Sequence, residues 1–224
     1  MRKIQSFVKR SGRLTPSQEK GLNELWKDYA IEPQGQLDFA EIFANKNEVV
    51  LEIGFGNGDT LVAMAQANPS LNYVGIEVYE AGIGRLINSA YINQLENLKV
   101  IRGDAVEFLN NNVVDNSLSR LQLFFPDPWH KKKHHKRRIV QQDFLDLLAR
   151  KLRNGSACHM ATDWQNYAEQ MMEMLEENPH FKNTQSAHNY TPRPEYRPLS
   201  KFEKRGNRLG HNVWDLIFTN QKRP

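Results

Sequence analysis

The chain has 224 residues, of which 39% are hydrophobic, so it can bury the core of one large domain. Its 30 Lys and Arg residues outnumber its 26 Asp and Glu residues. The positive charge is concentrated in the first twenty residues and in the loop 131–138, and this clustering favours a polyanionic partner. The single cysteine, Cys158, excludes an internal disulfide and a thiolate metal cluster. No apolar run is long enough to span a membrane. We therefore expect a cytoplasmic protein without a membrane partner.

The N-terminal region is polar and basic before the first helical signal. Residues 1–20 have no clear periodicity, which predicts a mobile arm ahead of a single domain over residues 21–224. Within the stretch TPSQEKGLNELWKDY, Thr15 and Pro16 are typical of a helix cap and a first turn. A helix is therefore predicted to begin at this point.

Short apolar runs then alternate with helical segments. Strands are predicted at VVLEI, NYVGIEV, LKVIRGDA, LQLFF and SACHMATD, and helices at DTLVAMAQAN, AGIGRLINSAYINQL, IVQQDFLDLLARKL and WQNYAEQMMEMLEEN. This alternation predicts a doubly wound α/β fold with a mostly parallel sheet. The final segment NVWDLIFTN predicts an antiparallel last strand, because no helix closely precedes it.

The first strand ends in a glycine turn. LEIGFGNGDT places Gly54, Gly56 and Gly58 between a strand and a helix, where the backbone can approach a ligand closely, although the same turn could serve chain reversal alone. The spacing is not the one typical of dinucleotide enzymes, and Glu52 inside the strand suits a cationic amine better than a pyrophosphate. These residues favour a ligand other than a dinucleotide.

Two further acids follow the next two strands. Glu77 lies 23 residues after Gly54, near the offset at which an acid accepts hydrogen bonds from ribose hydroxyls. Asp104 follows the third strand, where it could accept from an adenine amino group or could cap a helix. Together with Glu52, these acids match a nucleoside joined to an amino acid, which predicts S-adenosyl-L-methionine as the cofactor.

The segment FFPDPWHKKKHHKRR follows the fourth strand. The prolines restrict the backbone around Asp127, and Trp129 offers a surface for stacking a base, whereas Phe124 and Phe125 are expected to be core strand residues. The three histidines have no acidic or thiolate companion at ligand spacing, so no metal is predicted. A group of cations is predicted to bind phosphates: Lys131, Lys132, Lys133, Lys136, Arg137 and Arg138.

Several segments in order along nearly the whole chain resemble the bacterial tRNA (guanine-N7)-methyltransferases. The shared motifs are LEIGFGNG, GIEVYEAGIGRLI, GDA, FFPDPWHKKKHHKRR, ATDW and KFEKRGNRLGHNVWDLIF. The glycine and acid motifs occur in many methyltransferases, whereas the PDPW segment with its basic run and the KFE…VWDL ending are specific to this family. The resemblance implies a seven-stranded, Rossmann-like methyltransferase fold. It also implies methyl transfer to N7 of a guanosine in the variable loop of tRNA.

The resemblance also implies roles for individual residues. The cofactor would be bound by Glu52, Gly54, Gly56, Glu77, Asp104 and Asp127, with Asp127 also the catalytic residue; tRNA would be bound by Lys131, Asp163, Ser200, Lys201, Phe202 and Glu203. Ser200 departs from the family pattern, which has Thr there, but it keeps the hydroxyl.

Two other functions are compatible with parts of the sequence. A non-catalytic basic RNA-binding protein would account for the cations but not for Glu52, Glu77 and Asp104. An amino-group nucleic-acid methyltransferase would use a motif similar to the Asp127 segment, but the second proline that follows the acid in that motif is missing. Cys158 lies within an apolar strand, which disfavours a covalent cysteine mechanism.

Overall fold

A computed structural model describes residues 12–200, 203 and 212–221. The described residues form a seven-stranded sheet in the order β3-β2-β1-β4-β5-β7-β6. The predicted arm lies mostly within residues 1–11, which are outside the described residues, as are Lys201 and Phe202. No helix in the described part of the chain is long and apolar enough to cross a membrane.

The sheet is parallel from β1 to β5 and antiparallel at its last two strands. β7 pairs antiparallel with β5 and with β6, so the predicted doubly wound fold and antiparallel last strand are confirmed. The strand order reverses between β1 and β4, and ligands of such folds bind at the carboxyl ends of the strands near this point. The strands are β1 (Glu48–Ile53), β2 (Leu71–Glu77), β3 (Leu98–Arg102), β4 (Leu118–Phe124), β5 (Leu152–Thr162), β6 (Phe181–Asn183) and β7 (Trp214–Asn220).

Helices cover both faces of the sheet. The helix predicted near Thr15 is present, with Thr15 in a capping box and Pro16 at its first position. Two helices and one strand were not among the predicted segments. The helix Phe39–Ile42 has only four residues, and the helix Ala105–Asn111 follows Asp104 directly. The strand Phe181–Asn183 is only three residues long, too short to show a periodic pattern. The helices are α1 (Pro16–Asn23), α2 (Trp26–Tyr29), α3 (Phe39–Ile42), α4 (Asp59–Ala67), α5 (Glu80–Ile92), α6 (Ala105–Asn111), α7 (Gln142–Lys151) and α8 (Gln165–Glu177).

Each face of the sheet has its own apolar core. α6, α7 and α8 pack on one face, and α1, α4 and α5 pack on the other. α1 crosses α5 closely at Gly21, where a Cβ atom would lie 2.1 Å from the carbonyl oxygen of Gly84. The N-terminal helix is therefore part of the packed domain, and the two helical layers leave the carboxyl edge of the parallel strands accessible.

Candidate functional site

A cavity of about 530 Å³ opens at the carboxyl ends of β1, β2, β3 and β4. It lies at the strand-order reversal between β1 and β4, as expected for a doubly wound sheet. Phe124 and Phe125, predicted to be core residues only, both contribute to its wall. The predicted site residues that line it are Gly54, Gly56, Glu77, Asp104 and Asp127.

The glycine turn forms one end of this cavity. Gly54, Gly56 and Gly58 all have positive φ angles, of 72°, 59° and 75°, which side chains disfavour. A Cβ atom on Gly82 at the start of α5 would lie 2.0 Å from the carbonyl oxygen of Gly56. The turn thus requires glycine for its own conformation, and α5 requires glycine at position 82 for its close approach to the turn.

Glu77 joins the glycine turn to the end of β2. Its Oε2 accepts a hydrogen bond of 2.9 Å from the Gly56 amide, and its Oε1 accepts from the amides of Val78 at 2.6 Å and Tyr79 at 3.1 Å. Each carboxylate oxygen can accept more than one hydrogen bond, so a ribose could still bind here. Glu77 therefore stabilises the glycine turn and the end of β2, and it also lines the cavity.

Glu52 lies on β1, one residue before the cavity lining begins. It is 2% exposed, and its Oε2 is buried with no hydrogen-bond partner among the described residues. Burial raises its pKa to about 8, and the charge of Glu77 adds to this shift. A buried acceptor without a partner costs free energy, so Glu52 is suited to receive a donor such as an ammonium group.

Asp104 caps α6, which is one of its two predicted roles, and its other role, accepting from an adenine amino group, stays a prediction. Its Oδ1 accepts from the amides of Val106 at 2.8 Å and Glu107 at 3.2 Å, so it caps α6. It also lines the cavity. The cap fixes the carboxylate at the cavity wall, where it remains able to accept a further hydrogen bond.

Asp127 is exposed and lies on the β4 side of the cavity, in the segment Phe125–Trp129. Phe125 and Trp129 both have positive φ angles, of 52° and 47°, which are uncommon for residues with large side chains. Strained backbone of this kind persists only where the surroundings hold it. The positive φ angles therefore restrict this loop in addition to the prolines.

The basic segment forms a short 3₁₀ helix over Lys132–Arg137. The lysines at 131, 132, 133 and 136 are exposed, as phosphate binding requires. The Arg137 guanidinium lies 3.7 Å from the Trp129 ring centroid, so a cation occupies one face of the predicted stacking platform. The lysines form an exposed cationic surface beside the cavity.

Arg138 contradicts the sequence prediction. It was expected to bind phosphate, but it is 2% exposed, and its Nε donates to the Pro128 carbonyl oxygen at 2.8 Å. Its other nitrogens contact Gln170 and Asn166 on α8, so its hydrogen-bonding groups face the protein. A charge run in the sequence does not show which of its members is buried, which is the physical reason for this error.

Four of the residues predicted to bind tRNA are described, and they lie outside the cavity lining: Lys131, Asp163, Ser200 and Glu203. Asp163 follows β5 and is exposed at the same edge of the sheet as Asp127. Ser200 and Glu203 form a reciprocal pair: the Ser200 amide donates to Glu203 Oε2 at 2.9 Å, and the Glu203 amide donates to Ser200 Oγ at 3.1 Å. Glu203 is 3% exposed, so its carboxylate serves the fold of this segment.

A buried ionic network lies behind this segment and was not predicted. Arg197 is 1% exposed and donates to both carboxylate oxygens of Asp215, at 2.7 Å and 2.8 Å, and to Glu203 Oε1 at 2.7 Å. His159 Nε2 lies 2.7 Å from Asp215 Oδ1, and its Nδ1 lies 2.8 Å from the Tyr196 hydroxyl. The signal in the sequence was polar His159 and Asp215 within apolar strands.

Cys158 and the histidines take no part in the cavity. Cys158 is buried, and burial raises the pKa of its thiol to about 12, which makes it a poor nucleophile. Within the described ranges, no group of three or more His, Cys, Asp or Glu side chains could hold a metal ion.

Comparison with known proteins gives consistent matches. A family model described as "Putative methyltransferase" matches residues 46–216. Proteins named tRNA (guanine-N(7)-)-methyltransferase are 54% identical in Mannheimia succiniciproducens, over 97% of this chain and 88% of that protein, and 55% identical in Pseudoalteromonas atlantica, over 97% and 92%. Among solved structures, the 16S rRNA methyltransferase KamB matches with a TM-score of 0.61 at 16% identity, over 84% of this chain and 96% of that chain, which supports the fold.

Proposed function

The chain belongs to the tRNA (guanine-N(7)-)-methyltransferase family, and we propose on this basis that it transfers the methyl group of S-adenosyl-L-methionine to N7 of a guanosine in the variable loop of tRNA in the cytoplasm. The observation that carries the proposal is the position of Asp127. This carboxylate shares one cavity with the glycine turn, Glu77 and Asp104, and it borders the exposed lysines of the basic segment.

The residues around the cavity fit the proposed cofactor. Glu52 offers an ammonium group a buried acceptor that has no partner in the described part of the chain. Glu77 offers acceptors to ribose hydroxyls, and Asp104 can accept from an adenine amino group. The turn at Gly54 and Gly56 allows close approach of the ligand to the backbone. When bound, this cofactor supplies an electrophilic methyl group on a sulfonium centre.

Asp127 orients the guanine and stabilises positive charge. Guanine N7 has an in-plane lone pair and no proton, so methylation at N7 requires no strong general base. A fixed carboxylate can accept hydrogen bonds from the guanine N1 and amino groups, and it stabilises the positive charge that the purine gains. Asp127 lies between two residues with positive φ angles, Phe125 and Trp129, in a segment that lines the cavity.

The tRNA would lie across the carboxyl edge of the sheet. Exposed Lys131 and its neighbours supply positive charge for phosphates, which gives affinity without base specificity. We place Asp163 and the segment from Ser200 to Glu203 on the same tRNA surface. Because Glu203 is buried, we assign it to holding this segment in place.

Nucleoside analysis of tRNA tests the proposed reaction directly. Unmodified tRNA is incubated with the protein and S-adenosyl-L-methionine, and the digest is expected to contain 7-methylguanosine. A matched tRNA in which the variable-loop guanosine is replaced by adenosine should yield none. A methyl group on an exocyclic amine would show an amino-group methyltransferase instead. Binding of tRNA without any methylated nucleoside would support the non-catalytic RNA-binding function.

A further inference from the structure

The backbone around Asp127 is held at two places. The segment enters through Phe125, whose amide donates to the Ala161 carbonyl oxygen at 2.8 Å. It leaves through Pro128, whose carbonyl oxygen accepts from Arg138 Nε at 2.8 Å. Pro126 and Pro128 have no amide hydrogen, so the segment has few backbone donors of its own with which to hold its conformation. The Arg138 contact is therefore the side-chain support nearest to Asp127 on its C-terminal side.

Arg138 is itself fixed by four further contacts. Nη1 donates to Gln170 Oε1 at 2.5 Å, and Nη2 donates to Asn166 Oδ1 at 3.0 Å, both on α8. Nη2 also lies 3.1 Å from His135 Nε2, and the guanidinium lies 4.6 Å from the centroid of the Tyr167 ring. A planar guanidinium can meet all these partners at once, whereas a lysine ammonium cannot.

The partners of Arg138 are neutral. In the part of the chain that the structure describes, no carboxylate forms an ion pair with Arg138. Burying a cation without a carboxylate partner is unfavourable unless its hydrogen bonds are well satisfied. Burial accordingly lowers the pKa of Arg138. A structural ion pair does not explain this residue, and phosphate binding is excluded by its burial.

We propose that Arg138 is a positioning residue for methyl transfer: through the Pro128 carbonyl, it sets the direction in which Asp127 presents its carboxylate to the guanine. The proposal rests on the proposed function, because it takes Asp127 as the group that contacts the guanine. Arg138 thereby links α8 to the reacting end of the cavity. The neighbouring lysines bind phosphate, while Arg138 acts on the geometry of the loop.

Arg138→Lys and Arg150→Lys form a matched pair of variants. Both replace an arginine by lysine, but Arg138 is buried against the Pro128 carbonyl, whereas Arg150 is exposed in the last turn of α7. Arg138→Lys should lower the single-turnover rate at saturating tRNA and cofactor about 10- to 100-fold, which is typical of a misplaced catalytic group. The slope of log tRNA affinity against log salt should not change. Arg150→Lys should keep both the parental saturated rate and the parental slope.

A second readout and a second variant keep the test decisive. Hydrogen exchange over residues 124–131 should rise in Arg138→Lys and stay at the parental level in Arg150→Lys, and this readout does not depend on methyl transfer. If Arg138→Lys does not fold, Asn166→Ala removes one of the acceptors from an exposed helix position and should lower the saturated rate about 2- to 5-fold.

Two outcomes would overturn the inference. One is a folded Arg138→Lys protein with a parental saturated rate and parental exchange over residues 124–131. The other is a reduced salt slope with an unchanged saturated rate, which would show that Arg138 binds phosphate after all. Absence of 7-methylguanosine with the parental protein would refute the proposed function instead, and the exchange measurement would still report on the contact between Arg138 and Pro128.

Discussion

The two halves of the cavity are held in different ways. On the side of β1, β2 and β3, the wall is fixed by backbone groups: Glu77 accepts from the amides of Gly56, Val78 and Tyr79. On the side of β4 and β5, it is fixed by buried arginines: Arg138 holds the Pro128 carbonyl. The first half needs only glycines and a well-placed acid, whereas the second depends on long side chains.

This difference matches the ligands proposed for each half. A small cofactor can be bound by a rigid turn that contacts the cofactor directly. A guanosine within a folded tRNA must be oriented by a loop beside an exposed RNA-binding surface. A second buried arginine, Arg197, supports this half as well, because it joins Glu203 to Asp215 on β7. Its guanidinium lies 5.6 Å from the centroid of the Phe124 ring and 5.8 Å from that of the Phe125 ring, both in the cavity wall.

The largest effect is expected from removing the cation at the centre of the buried network. Arg197→Met leaves the carboxylates of Asp215 and Glu203 buried without their cation, so the free energy of unfolding should fall by about 3 to 5 kcal/mol. Urea denaturation measures this loss. Arg153→Met is the control, because its ion pair with Glu48 is exposed and should contribute less than about 1 kcal/mol. Equal free energies of unfolding for the two variants would contradict the conclusion that buried arginines hold the second half of the cavity.

The next effect concerns chemistry in the second half alone. Asp127→Asn removes the charge that stabilises the methylated purine, so the single-turnover rate should fall about 10²- to 10³-fold, or about 2.7 to 4 kcal/mol. Asp143→Asn, an exposed acid at the start of α7, is the control and should retain the parental rate. Because no proton leaves N7, the parental rate should show no break between pH 6 and 9. A parental rate that rises tenfold per pH unit would indicate a general base and contradict this mechanism.

The backbone-held half was largely predictable from sequence. The positions of Gly54, Gly56 and Glu77 follow from strand ends and from glycine spacing, which are local properties. Asp104 was predicted as a cofactor acceptor or a cap, and its hydrogen bonds show the cap. α6 was missed because its seven residues offer barely two turns of periodicity.

The half held by arginines could be predicted only in outline. The sequence placed Asp127 after a strand, but it did not show that Arg138 turns inward to residues 28 and 32 positions away on α8. Such contacts depend on tertiary packing, which local patterns do not encode. His159 and Asp215 were visible as polar residues in apolar strands, yet their common partner, Arg197, lies in a proline-rich segment without periodicity.

Glu77 tests the first half in isolation. Glu77→Ala removes acceptors for the ribose hydroxyls, so cofactor binding should weaken by about 1.5 to 3 kcal/mol in calorimetry. The amides of Gly56, Val78 and Tyr79 also lose their acceptor, so part of this loss should appear as a less stable turn. Affinity for tRNA should change less than about twofold, since electrostatic contacts elsewhere supply it. Glu80→Ala, an exposed acid three residues later, is the control; unaltered cofactor affinity in Glu77→Ala would exclude the ribose role.

Glu52, in the same half of the cavity, should make the free energy of unfolding depend on pH. Its folded pKa of about 8 lies above the usual value of 4.5, so its contribution to stability is fully present below pH 4.5 and is lost as pH rises through 8. Between these limits the free energy of unfolding should fall by up to about 1.4 kcal/mol per pH unit, and Glu52→Gln should flatten this slope.

The same carboxyl group should couple cofactor binding to proton release. An ammonium group beside Glu52 favours the carboxylate, so binding at pH 7 should release up to about one proton. Calorimetry in two buffers with different enthalpies of ionisation measures this number, and Glu52→Gln should release none. Equal proton release by both proteins would rule out Glu52 as the partner of the ammonium group.

The smallest effect is expected at Ser200, at the outer margin of the second half. Its Oγ accepts from the Glu203 amide, and its own amide donates to Glu203, so the hydroxyl supports the segment that Arg197 holds. Ser200→Ala should cost about 0.5 to 1.5 kcal/mol, the contribution of a single hydrogen bond. If the segment contacts tRNA, this loss should appear in KM for tRNA more than in kcat, because the side chain lies outside the cavity lining. Ser200→Thr keeps the hydroxyl and should match the parent in both constants. Parental kinetics for Ser200→Ala, together with parental stability, would show that the buried network holds this segment without help from the serine.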